Sequence, residues 1–183
     1  MSSPANPEKP RRIFLALWPG ESERQRLALL ATQAAGRQRR IPDAQLHLTL
    51  VFLGAANADQ LAAYEAALAD LRVPEMELVL DRYGYWPQPR ILWLGPSHAP
   101  LELYELVAEL HRRFRSCGFT PEARAFQAHI TLARRFRGPI PTEPLAAPLC
   151  WRTSEVVLVE STTPPQGPHY KILRHWPESQ PGL

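Results

Sequence analysis

Cysteine is almost absent from this chain: Cys117 and Cys150 are the only two, and they form no C-x-x-C pair. Neither a disulfide framework nor a structural zinc site is expected. Long apolar runs are missing as well. The first one, Ile13 to Trp18, stops at Pro19-Gly20. That is too short for the core of a signal peptide, and no stretch elsewhere could span a bilayer. Charge of one sign is not in excess: 21 Lys and Arg against 18 Asp and Glu leave a net charge of +3. So mild a basic bias permits a polyanionic partner without demanding one. These absences lead to the expectation of a cytoplasmic monomer with no membrane partner.

With 183 residues, 45% hydrophobic and 21% charged, the chain can bury a core of ordinary globular composition. Residues 1–10 are polar and carry three prolines, which predicts a disordered tail, with a second short tail at 178–183. Between them, 11–177 is expected to form a single domain of two lobes. Strands are predicted over Ile13–Trp18, Leu46–Leu53, Met76–Tyr83, Ile91–Leu94, Gln127–Arg134, Glu155–Thr162 and His169–Leu173. Helices are predicted over Glu21–Arg37, Asp59–Leu71 and Leu101–Cys117, with Gly36 and Gly118 closing the first and third. The third has a clear apolar stripe of Leu103, Leu106, Val107, Leu110 and Phe114. A Pro-rich loop is expected from Gly138 to Pro148.

Helix followed by strand occurs twice, and the two strands carry nearly the same four residues. His47-Leu48-Thr49-Leu50 returns as His129-Ile130-Thr131-Leu132, almost half the chain later. On a strand, alternate side chains share a face, so His and Thr of each copy emerge together while Leu or Ile points to a core. Two such strands facing each other would put two imidazoles on opposite sides of one small group. One could take a proton while the other gives one. Arg37, Arg39 and Arg40 precede the first copy, and Arg134, Arg135 and Arg137 follow the second. If both clusters flank one cleft, they would attract a polyanion.

The paired H-x-T-x tetrapeptides resemble the signature of the two-histidine (2H) phosphoesterases. More narrowly, the chain is similar to the bacterial and archaeal RNA 2′,3′-cyclic phosphodiesterases, also called the 2′-5′ RNA ligase or LigT family. The similarity extends to Arg12–Leu17, Leu50–Gly54, Arg90–Gly95 and Tyr170–Pro177, and so covers roughly residues 11–177. One departure is Ala128, where many relatives have Pro before the second His. The resemblance implies an α+β fold: a two-lobed, pseudo-twofold domain with antiparallel sheets lining a central cleft and helices outside. It also implies hydrolysis of RNA 2′,3′-cyclic phosphate ends to a 2′-phosphate, with 2′-5′ ligase activity as an accompaniment. His47 would be the acid on the departing 3′-oxygen, and His129 the base on water.

Hydrolysis of a cyclic phosphodiester needs an activated water, a protonated leaving oxygen and stabilised phosphoryl oxygens. His47 and His129 suit the first two needs, and the Thr49 and Thr131 hydroxyls with the Arg134 guanidinium suit the third. None of this requires a metal or other cofactor, and the sequence offers no clear ligand set. In a regular strand, however, Arg134 falls on the face opposite His129, so the strand must bulge, twist or end for it to reach a phosphate. His98, His111, His169 and His175 are expected to be peripheral. Phe14, Tyr83, Trp86 and Tyr170 are aromatics that could stack on a base. Two alternatives stay open: a phosphodiesterase for a small nucleotide such as ADP-ribose 1″,2″-cyclic phosphate, and a non-catalytic module that binds RNA ends.

Overall fold

A computed structural model describes residues 10–36, 38–143, 145–164 and 168–177. The tails expected at 1–10 and 178–183 fall outside these residues, Pro10 excepted, and so does Arg37. Nine strands and three α-helices are seen among the described residues: β1 (Arg11–Leu17), α1 (Glu21–Ala35), β2 (Leu48–Ala56), α2 (Ala58–Ala67), β3 (Met76–Leu80), β4 (Arg82–Trp86), β5 (Ile91–Gly95), α3 (Leu101–Arg115), β6 (Ile130–Arg134), β7 (Leu149–Thr153), β8 (Val156–Thr162) and β9 (His169–Trp176).

The main sheet runs β4-β5-β6-β2-β1-β8-β9, and every registered pairing is antiparallel. The two motif strands are therefore central neighbours. They share only one registered pair, Leu48 with Ile130, so the sheet opens there into two lobes. The expected α+β, two-lobed architecture is what the chain adopts. One lobe contributes β4, β5 and β6 to the sheet, and the other contributes β2, β1, β8 and β9.

The sequence accounts for most elements locally. The α3 stripe of Leu103, Leu106, Val107, Leu110 and Phe114 is buried, at roughly 1.5–3 kcal/mol for each large side chain. Asn57 caps α2 through a reciprocal pair of bonds with Gln60. Gly36 and Gly118 take φ of 57° and 80° after α1 and α3. Helix α1 buries Leu27, Ala31 and Ala35, spaced four apart on one face, and leaves Leu30 and Ala34 beside them half-buried. The helices are exchanged between lobes: α1, which leads into β2, touches β6, and α3, which leads into β6, touches β2.

One expectation fails, and one strand was not expected. The strand predicted over Met76–Tyr83 breaks at Asp81, whose carboxylate accepts the Ser97 backbone N–H at 2.6 Å. Its own carbonyl accepts from Leu145. The first half, β3, leaves the main sheet and pairs with β7, a strand that no sequence expectation covers. Met76, Leu78, Leu80, Leu149 and Trp151 point from this ribbon into the core. Strand β7 escapes the sequence pattern because Pro148 and polar Arg152 and Thr153 break up an already short apolar run.

One close approach fixes the face of the second lobe. Gly84 on β4 lies opposite Trp93 on β5, and a Cβ there would stand 1.9 Å from the indole ring. Gly84→Ala is therefore expected to displace Trp93 and lower stability by about 1–3 kcal/mol. Urea unfolding, with near-ultraviolet circular dichroism reporting the indole, measures both effects.

Candidate active site

Antiparallel pairing at Leu48 and Ile130 decides what faces what. Both residues are fully buried on the core side. The flanking His47, Thr49, His129 and Thr131 therefore point together into the cleft, with His47 across from Thr131 and Thr49 across from His129. All four are half-buried.

Beyond the threonines both strands carry the same irregularity. Val51 pairs with Leu15 and Thr49 with Ala16, leaving Leu50 as an extra residue on β2. Ala133 pairs with Leu92 and Thr131 with Trp93, leaving Leu132 as an extra residue on β6. Each bulge shifts the alternation by one. Arg134 then pairs with Ile91, which lies two residues from Trp93 and so on its face. The guanidinium position rejoins the face of His129 and Thr131, which resolves the parity conflict. The counterpart of Arg134 in the first lobe is Phe52, with the same run of burial from Leu48 to Phe52 as from Ile130 to Arg134. Phe52 is 44% exposed and lies beneath the Arg12 guanidinium, 5.3 Å from its ring centre. The site is thus duplicated in its imidazoles and hydroxyls but carries the cation on one side only.

The rings are held alike. His47 Nδ1 is 2.6 Å from the Gln45 carbonyl, and His129 Nδ1 is 2.9 Å from the Gln127 carbonyl. A carbonyl can only accept, so each Nδ1 carries hydrogen and each neutral ring keeps its lone pair on Nε2. The His47 Nε2 accepts from the Thr49 hydroxyl at 3.1 Å. The Gln45 side chain in turn donates to the Pro168 carbonyl at 2.8 Å, just before Tyr170. The glutamines were legible in the sequence: the repeat begins two residues upstream, as Gln45-x-His47 and Gln127-x-His129.

Aromatic packing differs between the two. Trp18 stacks on His47 with centroids 5.1 Å apart and planes within 5°, and Phe14 and Tyr170 close the ring in at 5.0 and 5.3 Å. His129 meets the Trp86 ring edge to face at 4.5 Å. Burial pushes the His47 pKa down to about 4, against the Gln45 hydrogen bond, and the Arg134 and His129 charges lower it further. Burial also lowers that of His129, again opposed by a backbone bond and assisted by Arg124 and Arg134. That Arg134 acts on both imidazoles agrees with its return to the cleft face.

A cavity of about 400 Å³ opens beside the His129 imidazole, lined by Thr49, Phe52, Trp86, Phe119, Arg124 and Phe126 among others. His111 also lines it, facing Phe119 at 6.0 Å, and so is not the remote helix residue the sequence predicted. It follows Leu110 on the helix, at the edge of the buried stripe, where one residue's rotation decides between solvent and cavity. His98 is exposed in a turn, His169 begins β9 and His175 binds Glu155. Of the expected stacking aromatics, Tyr83 points away and bonds the Leu30 carbonyl on α1. Among the described residues no group of three or more His, Cys, Asp or Glu is arranged to hold a metal, and no helix is long and apolar enough to cross a membrane.

The LigT-like phosphoesterase family model matches twice in succession, over residues 17–93 and 94–170. The chain belongs to the LigT-like phosphoesterase family. The first match contains His47 and Thr49, and the second contains His129 and Thr131. The RNA 2′,3′-cyclic phosphodiesterase of Escherichia coli K12 is 30% identical over 176 residues, covering 94% of this chain and 99% of that protein. The RNA 2′,3′-cyclic phosphodiesterase of Thermus thermophilus is 35% identical over 181 residues, covering 88% and 87%. Among solved structures, E. coli LigT complexed with 3′-AMP superposes with a TM-score of 0.82 at 28% identity, covering 91% of this chain and 97% of that one.

Proposed function

We propose that this LigT-like phosphoesterase is an RNA 2′,3′-cyclic phosphodiesterase that opens the cyclic phosphate to a 2′-phosphate. The observation that carries this reading is the antiparallel pair at Leu48 and Ile130, which sets two imidazoles and two hydroxyls around one point of a cleft. His129 Nε2 takes a proton from water as it attacks phosphorus, and His47 protonates the departing 3′-oxygen. Thr49, Thr131 and Arg134 stabilise the charge that gathers on the non-bridging oxygens. The cavity walls of Phe52, Phe119, Phe126 and Trp86 provide stacking surface for the terminal base, which favours a nucleotide substrate.

Metal independence is part of the proposal, because proton transfer and charge stabilisation are all assigned to side chains. So are formation of 2′-5′ linkages, in which an RNA 5′-hydroxyl replaces water as the group that attacks phosphorus while the 3′-oxygen departs, a monomeric state, a cytoplasmic location, and residues 11–177 acting as one domain. The test is to incubate the purified protein in excess EDTA with a short RNA ending in a 2′,3′-cyclic phosphate and, separately, with ADP-ribose 1″,2″-cyclic phosphate. The RNA should be turned over at an undiminished rate and preferred. Loss of turnover in EDTA, restored by a divalent cation, would overturn the metal-free route. Preference for the ADP-ribose compound would move the substrate to the small-nucleotide class.

A further inference from the structure

Four arginines outside the proposed reaction collect at the end of the motif strand. The Arg134 N–H donates to the Arg39 carbonyl at 3.0 Å, and Phe136 N–H donates to the Arg90 carbonyl at 2.9 Å. Arg137 N–H donates to the Gln38 side chain at 2.8 Å. Segment 38–40 therefore replaces β2 as the partner of β6 where the two lobes part, bridging Arg40 to Ala133. Arg39 and Arg40 of the first arginine cluster meet Arg134, Arg135 and Arg137 of the second here. Arg40 is already engaged, with Asp43, the Thr32 hydroxyl and the Ala28 carbonyl. Arg39, Arg90, Arg135 and Arg137 are exposed, and among the described residues none of them forms an ion pair.

The backbone supplies a second, independent observation. Among the described residues the only non-glycine positions with positive φ are Arg90, at 66°, and Arg135, at 54°. Glycine or asparagine adopts that conformation with far less strain, so a turn needing only its shape has no use for arginine there. Strain of this kind persists at sites where the side chain has a task. Here two strained arginines sit on neighbouring turns joined by the Phe136–Arg90 bond, directly beyond the cation on the cleft face.

We infer that Arg39, Arg90, Arg135 and Arg137 form a track for the phosphates of single-stranded RNA upstream of the cyclic end. This inference rests on the RNA reading above and deepens it: the substrate is an oligonucleotide 3′ end, not a mononucleotide. The terminal cyclic phosphate occupies the cleft beside Arg134, and the preceding phosphates run outward along the ridge.

The test compares an RNA of roughly ten nucleotides ending in a 2′,3′-cyclic phosphate with adenosine 2′,3′-cyclic monophosphate, from about 50 to about 200 mM salt. The oligonucleotide KM should be lower by about tenfold or more, and should climb with salt at a log–log slope of about 2–3, for three or four single-strand phosphates engaged. The variant Arg39→Gln/Arg90→Gly/Arg135→Gly/Arg137→Gln should raise the oligonucleotide KM to the mononucleotide's level. Its turnover of the mononucleotide and its urea midpoint should not fall, since glycine relieves the backbone at positions 90 and 135. Equal KM and salt slope for wild type and variant would overturn the track. So would equal affinity for a blunt duplex lacking a single-stranded end. Fluorescence anisotropy with the 2′-phosphorylated oligonucleotide needs no turnover and keeps the two readings apart. Ridge-dependent binding without hydrolysis would support the track and sink the reaction, whereas hydrolysis indifferent to the ridge would do the reverse.

Discussion

Replacing His129 or His47 with Ala is expected to lower turnover of a cyclic-phosphate RNA by about 10²-fold or more in each case. The imidazoles flank the Leu48–Ile130 pair with Nδ1 pinned to the Gln45 and Gln127 carbonyls, so each presents only Nε2 to the cleft. A ring that loses this nitrogen cannot be replaced by bulk water at the same position. Because both act in one transition state, the double variant should lose less than the product of the single losses. Thr49→Ala, Thr131→Ala and Arg134→Ala should be milder, each removing one phosphate contact. Far-ultraviolet circular dichroism and urea midpoints serve as the folding check, needed most for His47, which Phe14, Trp18 and Tyr170 enclose. The neutral comparison is His98→Ala, in an exposed turn, since His111 lines the cavity. Full activity in a folded His129→Ala protein would contradict the paired-imidazole mechanism.

Most of this site is legible in the sequence because period 2 leaves little choice. Once H-x-T-x is on a strand, His and Thr share a face, and duplication supplies the partner. The α3 stripe and the glycines after α1 and α3 are legible for similar local reasons. What the sequence does not show is where a strand admits an extra residue. Nothing in Thr-Leu-Val-Phe or Thr-Leu-Ala-Arg announces the bulges at Leu50 and Leu132, which are set by pairing with β1 and β5. Those bulges decide that Arg134 and Phe52 face the cleft. The aromatic enclosure of His47 is hidden for another reason: Phe14 on β1, Trp18 just after it and Tyr170 on β9 come from segments remote in sequence from His47, and only the order β2-β1-β8-β9 brings them to it. The departure of β3 from the main sheet likewise depends on Asp81, whose partners Ser97 and Leu145 are remote in sequence.

A large effect of pH is also expected. Both imidazoles have lowered pKa values in the free protein, His47 down to about 4, with burial the leading cause in each. Catalysis needs one ring neutral and the other protonated, and kcat/KM reports the free enzyme. The bell in kcat/KM should therefore peak below pH 6.5, the ordinary value for His. Above that peak the protonated acid becomes scarcer, and kcat/KM should fall about tenfold for each pH unit, roughly 10²-fold over two. The profile of kcat should lie at higher pH, because a phosphodiester anion between the rings favours their charged forms and offsets the desolvation. Rates collected from about pH 4.5 to 9 under single-turnover conditions, where chemistry is isolated from product release, would show both profiles. A kcat/KM maximum above about pH 7.5 would mean that the imidazoles are not desolvated as the aromatic enclosure requires.

The most direct measurement is ³¹P NMR of the product formed from a cyclic-phosphate RNA in excess EDTA. Protonation of the 3′-oxygen by His47 while His129 activates water on the opposite side predicts a terminal 2′-phosphate as the sole product. A 3′-phosphate, a mixture of the two isomers, or no reaction until a divalent metal is added would contradict the assignment of the two histidines to opposite sides of one phosphate.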